Sequence, residues 1–148
     1  MRQDTRSSAV GVPAQTLWDY LAEYEHVLQL ATAGGKAVLL AGPPRRRGAK
    51  YRAWLSWEGI ESTYISALAD ADPPRTLTWS TQAHGTRTSL RLDLEPLGDS
   101  STRVTATLTH SMSRVLRPLE PFGWAMLSKM LDRGLVELNT LGPDQMIA

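Results

Sequence analysis

The chain has no cysteine. That excludes a disulfide framework, a thiolate nucleophile and thiolate metal sites, and it fits a cytoplasmic protein without requiring one. A charge of one sign is missing as well: 16 Lys and Arg against 15 Asp and Glu leave a net charge of +1. No global field therefore argues for nucleic acid or for an anionic membrane. No apolar run reaches the length of a membrane span, and residues 1–12 hold none long enough for a signal peptide. Catalytic signatures are also missing. There is no nucleophile elbow, no phosphate-cradling glycine loop and no metal-ligand spacing. His26, His84 and His110 lie far apart on unlike stretches, so no metal and no other cofactor is expected. Without repeats or low-complexity linkers, the 148 residues read as one soluble domain, large enough to bury its own core.

What the chain does have is a long periodic stretch over 118–141, stopped by Gly142-Pro143. Leu119, Met126, Leu127, Met130, Leu138 and Leu141 recur at helical spacing and make one apolar side. Gly123 and Gly134 lie about three turns apart, within that side. Each costs roughly 1 kcal/mol relative to Ala in a helix interior. Either a strand or helix comes close at these points, or the helix roofs a cavity. Met126 and Met130 beside them suit both readings, since Met fills irregular space and adapts to varied ligands.

Ahead of this helix, a strand is expected over 5–11 and a helix from Val12-Pro13-Ala14, with Leu17, Trp18, Leu21 and Tyr24 on its apolar face. A second short helix follows over 25–31, broken by Gly34-Gly35. From there to Ser113 the chain reads as strands separated by turn chemistry. The first covers 36–41 and ends at Gly42-Pro43-Pro44; the next covers 49–57. Tyr51, Ala53, Leu55 and Trp57 share one phase. Turns at Glu58-Gly59, Asp72-Pro73-Pro74 and His84-Gly85 put Ser62, Tyr64, Ser66, Leu68, Leu77 and Trp79 on the same inner face. Leu90, Leu92 and Leu94 alternate with Arg91, Asp93 and Glu95. Val104, Ala106, Leu108, His110 and Met112 alternate with Thr and Ser. Strict alternation implies an antiparallel sheet with one covered face. The fold class is α+β: one strand, two short helices, six strands and a long helix.

This order resembles the helix-grip fold of the START-like superfamily, the SRPBCC group of polyketide cyclase/dehydrases, pollen-allergen-like proteins and lipid carriers. The residues that carry the likeness are Val12-Pro13-Ala14 with Leu17-Trp18, Gly48 before Tyr51, the run Asp72-Pro73-Pro74-Arg75-Thr76-Leu77-Thr78-Trp79, and Ser101-Thr102-Arg103-Val104-Thr105. The resemblance implies a curved antiparallel sheet wrapped around the C-terminal helix. It also implies an internal cavity for a lipid, isoprenoid or polyketide-like molecule. A shared shape does not fix chemistry, so function has to come from the site.

His110 is the odd residue of its strand, an ionisable group in phase with apolar ones. It is either a core histidine with a partner, or a polar contact or general acid/base for a ligand. Tyr64, with Ser62 and Ser66 beside it, is its companion. The candidate ligand contacts are Trp57, Tyr64, Ser66, Trp79, Leu92, His110, Met112, Met126, Met130 and Gly134. His110 and Tyr64 are the catalytic candidates should the protein be an enzyme. The expected partner is a hydrophobic small molecule, with no nucleic acid, and the chain is a monomer or homodimer. Arg45-Arg46-Arg47 reads as a solvated hairpin tip, or as at most a peripheral contact with anionic headgroups. Trp54, on the wet face, fits packing under a loop or a protein contact. Three functions follow: a carrier or sensor of an apolar molecule, a polyketide cyclase/dehydrase-type enzyme, or an interaction module whose interior is filled by its own side chains.

Overall fold

A computed structural model describes residues 1–57, 59–83 and 85–147, with the side chains of Trp57 and Ile60 outside that description. The expected turn residues Glu58 and His84, and the side chain of Trp57 as a ligand contact, thus lie outside the described residues. The chain runs β1 (Arg2–Val10), α1 (Ala14–Leu21), α2 (Tyr24–Ala31), β2 (Lys36–Ala41), β3 (Lys50–Trp57), β4 (Ile60–Asp72), β5 (Thr76–Ala83), β6 (Thr86–Pro96), β7 (Thr102–Met112), α3 (Glu120–Leu138) and α4 (Pro143–Ile147). Among the described residues seven strands form one antiparallel sheet in the order β1-β7-β6-β5-β4-β3-β2. Register shifts at Leu39/Ala41 and Leu68/Asp70 mark bulges, which bend strands and increase their twist.

The inner face forms because alternate residues of each strand point the same way. Leu68, Leu77, Trp79, Leu92, Leu94, Val104 and Ala106 are buried there. Leu17, Trp18 and Leu21 of α1 and Tyr24, Leu28 and Leu30 of α2 are buried against them. Three hydrogen bonds fix the docking. Trp18 Nε1 donates to the Thr76 carbonyl at 2.9 Å, Trp79 Nε1 to that of Leu21 at 3.0 Å, and Thr102 Oγ1 to that of Val12 at 2.7 Å.

Helix α3 is attached differently. Its buried residues are Glu120, Met130 and Leu138. Along one edge it is tied to β1 by polar contacts: Arg2 Nε to Glu120 at 3.2 Å, Arg6 to Asp132, and Asn139 Nδ2 to Ser8 Oγ at 2.7 Å. Along the other, Arg133 donates to the Leu30 carbonyl at 2.8 Å, satisfying a carbonyl that the end of α2 leaves free.

Several expected boundaries move, for physical reasons. Strand β1 begins at Arg2 rather than residue 5, because its inward-phase Arg2, Asp4 and Arg6 face polar partners and so show no apolar alternation. Tyr24 opens α2 instead of ending α1, since the backbone at Glu23 is extended. The last α-helix starts at Glu120. A 3-10 turn, Arg117–Leu119, precedes it and leaves Leu119 54% exposed, off the buried stripe where the spacing put it. Helix α4 follows the Gly142-Pro143 stop, where no further element was expected. Arg45, with a positive φ, pairs with Glu23 at 3.1 Å, and Arg46 and Arg47 are exposed. Trp54 is 41% exposed on the outer face, opposite Lys36 and Thr63.

Candidate functional site

Between sheet and helices lies a cavity of about 130 Å³. Its floor is Trp79, Leu90, Leu92, Val104, Ala106 and Leu108, its side wall comes from α1 and α2, and its roof is Leu127, Met130, Leu131, Gly134, Leu135 and Leu138. Thr81 and Thr88 close it at one end of the floor. Helix α3 closes this space with Met130 and Leu138 buried beneath it and polar contacts along both edges.

The two helix glycines turn out to do different things. A Cβ on Gly123 would come within 2.6 Å of Met112 Cε and 3.4 Å of His110 Nε2, so β7 side chains fill that gap. The expectation of a hollow there is corrected: close approach wins. A Cβ on Gly134 would lie 4.0 Å from the α2 backbone at Leu30 and Ala31, and Gly134 also lines the cavity. Here close approach and roof coincide.

Of the expected contacts, Trp79, Leu92, Met130 and Gly134 stand on the cavity wall. Met126 is half-buried against the core, and Met112 occupies the Gly123 gap. Tyr64, Ser66 and His110 stand just behind the wall, each bonded to a residue that lines it. Tyr64 shares a 2.8 Å hydroxyl contact with Tyr24, Ser66 a 3.0 Å contact with Thr81, and His110 Nδ1 a 3.0 Å contact with Thr88. Tyr24 also packs its ring edge on Trp79, with centroids 5.0 Å apart. Sequence reasoning missed Thr81 and Thr88. The signal was there, since Thr81 continues the phase of Leu77 and Trp79, and Thr88 that of Leu90, Leu92 and Leu94.

His110 is 3% exposed, and its Nε2 has no hydrogen-bond partner among the described residues. Burial pushes its pKa below the ordinary 6.5; the Glu120 carboxylate opposes this, while the N-terminus and Arg2 add to it. The imidazole is therefore neutral at pH 7. Burial raises the phenols of Tyr24 and Tyr64 above their usual value, so both stay protonated and act through hydrogen bonds, not as bases. Among the described residues no group of His, Asp and Glu is placed to hold a metal ion, and no helix is long and apolar enough to cross a membrane.

A sequence model of polyketide cyclase / dehydrase and lipid transport proteins matches residues 1–141. The chain belongs to this family. Solved structures agree on the family's START-like fold. The Zhui aromatase/cyclase of Streptomyces sp. R1128 superposes with a TM-score of 0.74 at 16% identity, covering 99% of this chain and 93% of that one. The TTHA0849 protein of Thermus thermophilus gives 0.73 at 12%, covering 99% and 97%. A START superfamily protein of Mycobacterium smegmatis gives 0.64 at 19%, covering 92% and 98%. No curated protein matches the sequence. The family description joins cyclase and dehydrase chemistry to lipid transport.

Proposed function

We propose that this family member binds a hydrophobic small molecule, of lipid, isoprenoid or polyketide-like character, in the cavity under α3 and carries or senses it. The observation that supports this is the wall itself. None of the 20 residues that line it is charged. The Trp79 and Tyr24 heteroatoms on it are already bonded, to Leu21 and Tyr64. Such a surface favours apolar ligands at roughly 25 cal/mol per Å² removed from water. Its volume is near that of the ~150 Å³ engineered cavity known to take benzene. A ring-sized body fits as the protein stands.

The experiment is mass spectrometry of the purified protein, native and then denatured, paired with titration of the fluorescent apolar probe N-phenyl-1-naphthylamine. A co-purified small molecule, or saturable probe binding lost on filling the cavity, supports the reading. Neither, across several expression hosts, overturns it.

A polyketide cyclase/dehydrase-type reaction is the second reading. In its favour is a neutral, buried His110 bonded to Thr88 on the cavity wall. A cyclase using His110 for proton transfer loses about 100-fold or more in rate in His110→Ala. A carrier loses only modest affinity in that variant.

A further inference from the structure

One row of side chains crosses the concave face at a single level. Followed in register from β3 to β1 it reads Tyr51, Ser66, Thr81, Thr88, His110 and Arg2, and each of these carries a heteroatom; on β2 the row ends in Leu39. On β4 to β7 the next row is Leu68, Trp79, Leu90 and Leu108, and the one beyond it Ala71, Leu77, Leu92 and Ala106; β1 ends these rows with Asp4 and Arg6. A line of polar groups beside an apolar floor is costly unless its members are bonded. Most are: Ser66 with Thr81, Thr88 with His110, and Arg2 with Glu120. The row is broken between Thr81 and Thr88. They are opposed in register, no hydrogen bond joins them among the described residues, and both face the cavity.

The tautomer of His110 decides what Thr88 offers there. A neutral imidazole carries one N–H. On Nε2 it would be a buried donor without a partner among the described residues. On Nδ1 it is used, donated to Thr88 Oγ1 across 3.0 Å, and only a lone pair is left over at Nε2. A buried N–H without a partner is rare, and we take the Nδ1–H form, which leaves only the Nε2 lone pair unpaired. Thr88 then accepts from His110 and keeps its own proton.

We infer that Thr88 turns this hydroxyl proton into the cavity, so that the ligand class is an uncharged amphipathic molecule: an apolar body with one hydrogen-bond-accepting oxygen, a ketone for example, bound oxygen end to Thr88. This rests on the cavity-binding reading above. A carboxylate is excluded by the same wall, which presents no cation.

The test uses acetophenone and α-methylstyrene, two probes of one shape that differ in C=O against C=CH2, titrated by intrinsic tryptophan fluorescence. The ratio of their affinities in wild type is compared with that in Thr88→Val, so their different hydration cancels. The ketone-to-hydrocarbon ratio should fall ~10-fold in Thr88→Val, the order of one net hydrogen bond, and be largely kept in Thr88→Ser. Both probes binding with an unchanged ratio overturns this inference and leaves the cavity reading standing. Neither probe binding sinks both. Long-range 1H–15N NMR on the wild-type protein gives an answer that depends on no variant folding. A protonated Nδ1 on His110 supports the inference, and a protonated Nε2 overturns it.

Discussion

Helices α1 and α2 reach the sheet through Leu17, Trp18, Leu21, Tyr24 and Leu28, all buried, whereas α3 leaves Phe122 and Val136 in solvent and meets β1 through Arg2, Arg6 and Ser8. The first pair is held by these buried side chains and by the indole hydrogen bonds of Trp18 and Trp79. The second cover buries Met130 and Leu138, adds directional contacts at its rims, and leaves space beneath it open. A cavity in a small domain is therefore not simply a missing side chain. It is roofed by a helix that joins a few buried apolar residues to polar contacts along its edges.

Truncations on the two sides should separate these modes. Trp79→Ala removes a buried ring, its bond to Leu21 and its contacts with Tyr24 and Tyr51. A loss of about 3–5 kcal/mol is expected in urea unfolding. Met130→Ala, on the cavity roof, should stay near the low end of its class, ~2 kcal/mol; equal losses would erase the distinction. Next comes Ala106→Leu, which puts bulk into the cavity floor. Probe affinity should fall by more than about tenfold while overpacking costs no more than ~1–3 kcal/mol, read by fluorescence titration beside thermal melting.

Cutting a rim contact should do less. Arg133→Ala frees the Leu30 carbonyl and should cost on the order of 1 kcal/mol. The sharper readout is amide exchange: α3 should exchange faster while β5 to β7 keep their protection. The smallest effect is on pH. His110 has its pKa lowered in the folded state by burial, so the unfolded chain takes up a proton first on acidification. The stability tied to its neutral form is complete above the unfolded value near 6.5 and is lost as pH falls below it toward the folded value. His110→Asn should lack that step in a series of urea melts.

The sheet was legible where its inner phase is apolar, above all in the middle of β5, β6 and β7. The Leu90, Leu92 and Leu94 alternation and the 104–112 run needed no tertiary knowledge, and the strand over 36–41 is found where expected as β2. Strand β1 was harder, since its inward residues are charged and answer to groups on α3 more than 100 positions away. At the site, Trp79, Leu92, Met130 and Gly134 could be placed from phase alone. Thr81 and Thr88 were in phase too, but small polar residues carry no apolar signal. Leu119 misled because helical spacing cannot show that the turn before Glu120 is 3-10, or that Glu120, through Arg2, takes the buried place.

The rim of α3 that faces β1 includes two ion pairs, Arg2 with Glu120 and Arg6 with Asp132, at partly solvated positions. Dissolved electrolyte weakens such pairs over a screening distance of about 10 Å at 0.1 M, while leaving attraction between greasy surfaces intact or stronger. Raising ionic strength should thus loosen the β1 edge of α3 while Met130 and Leu138 stay buried beneath it.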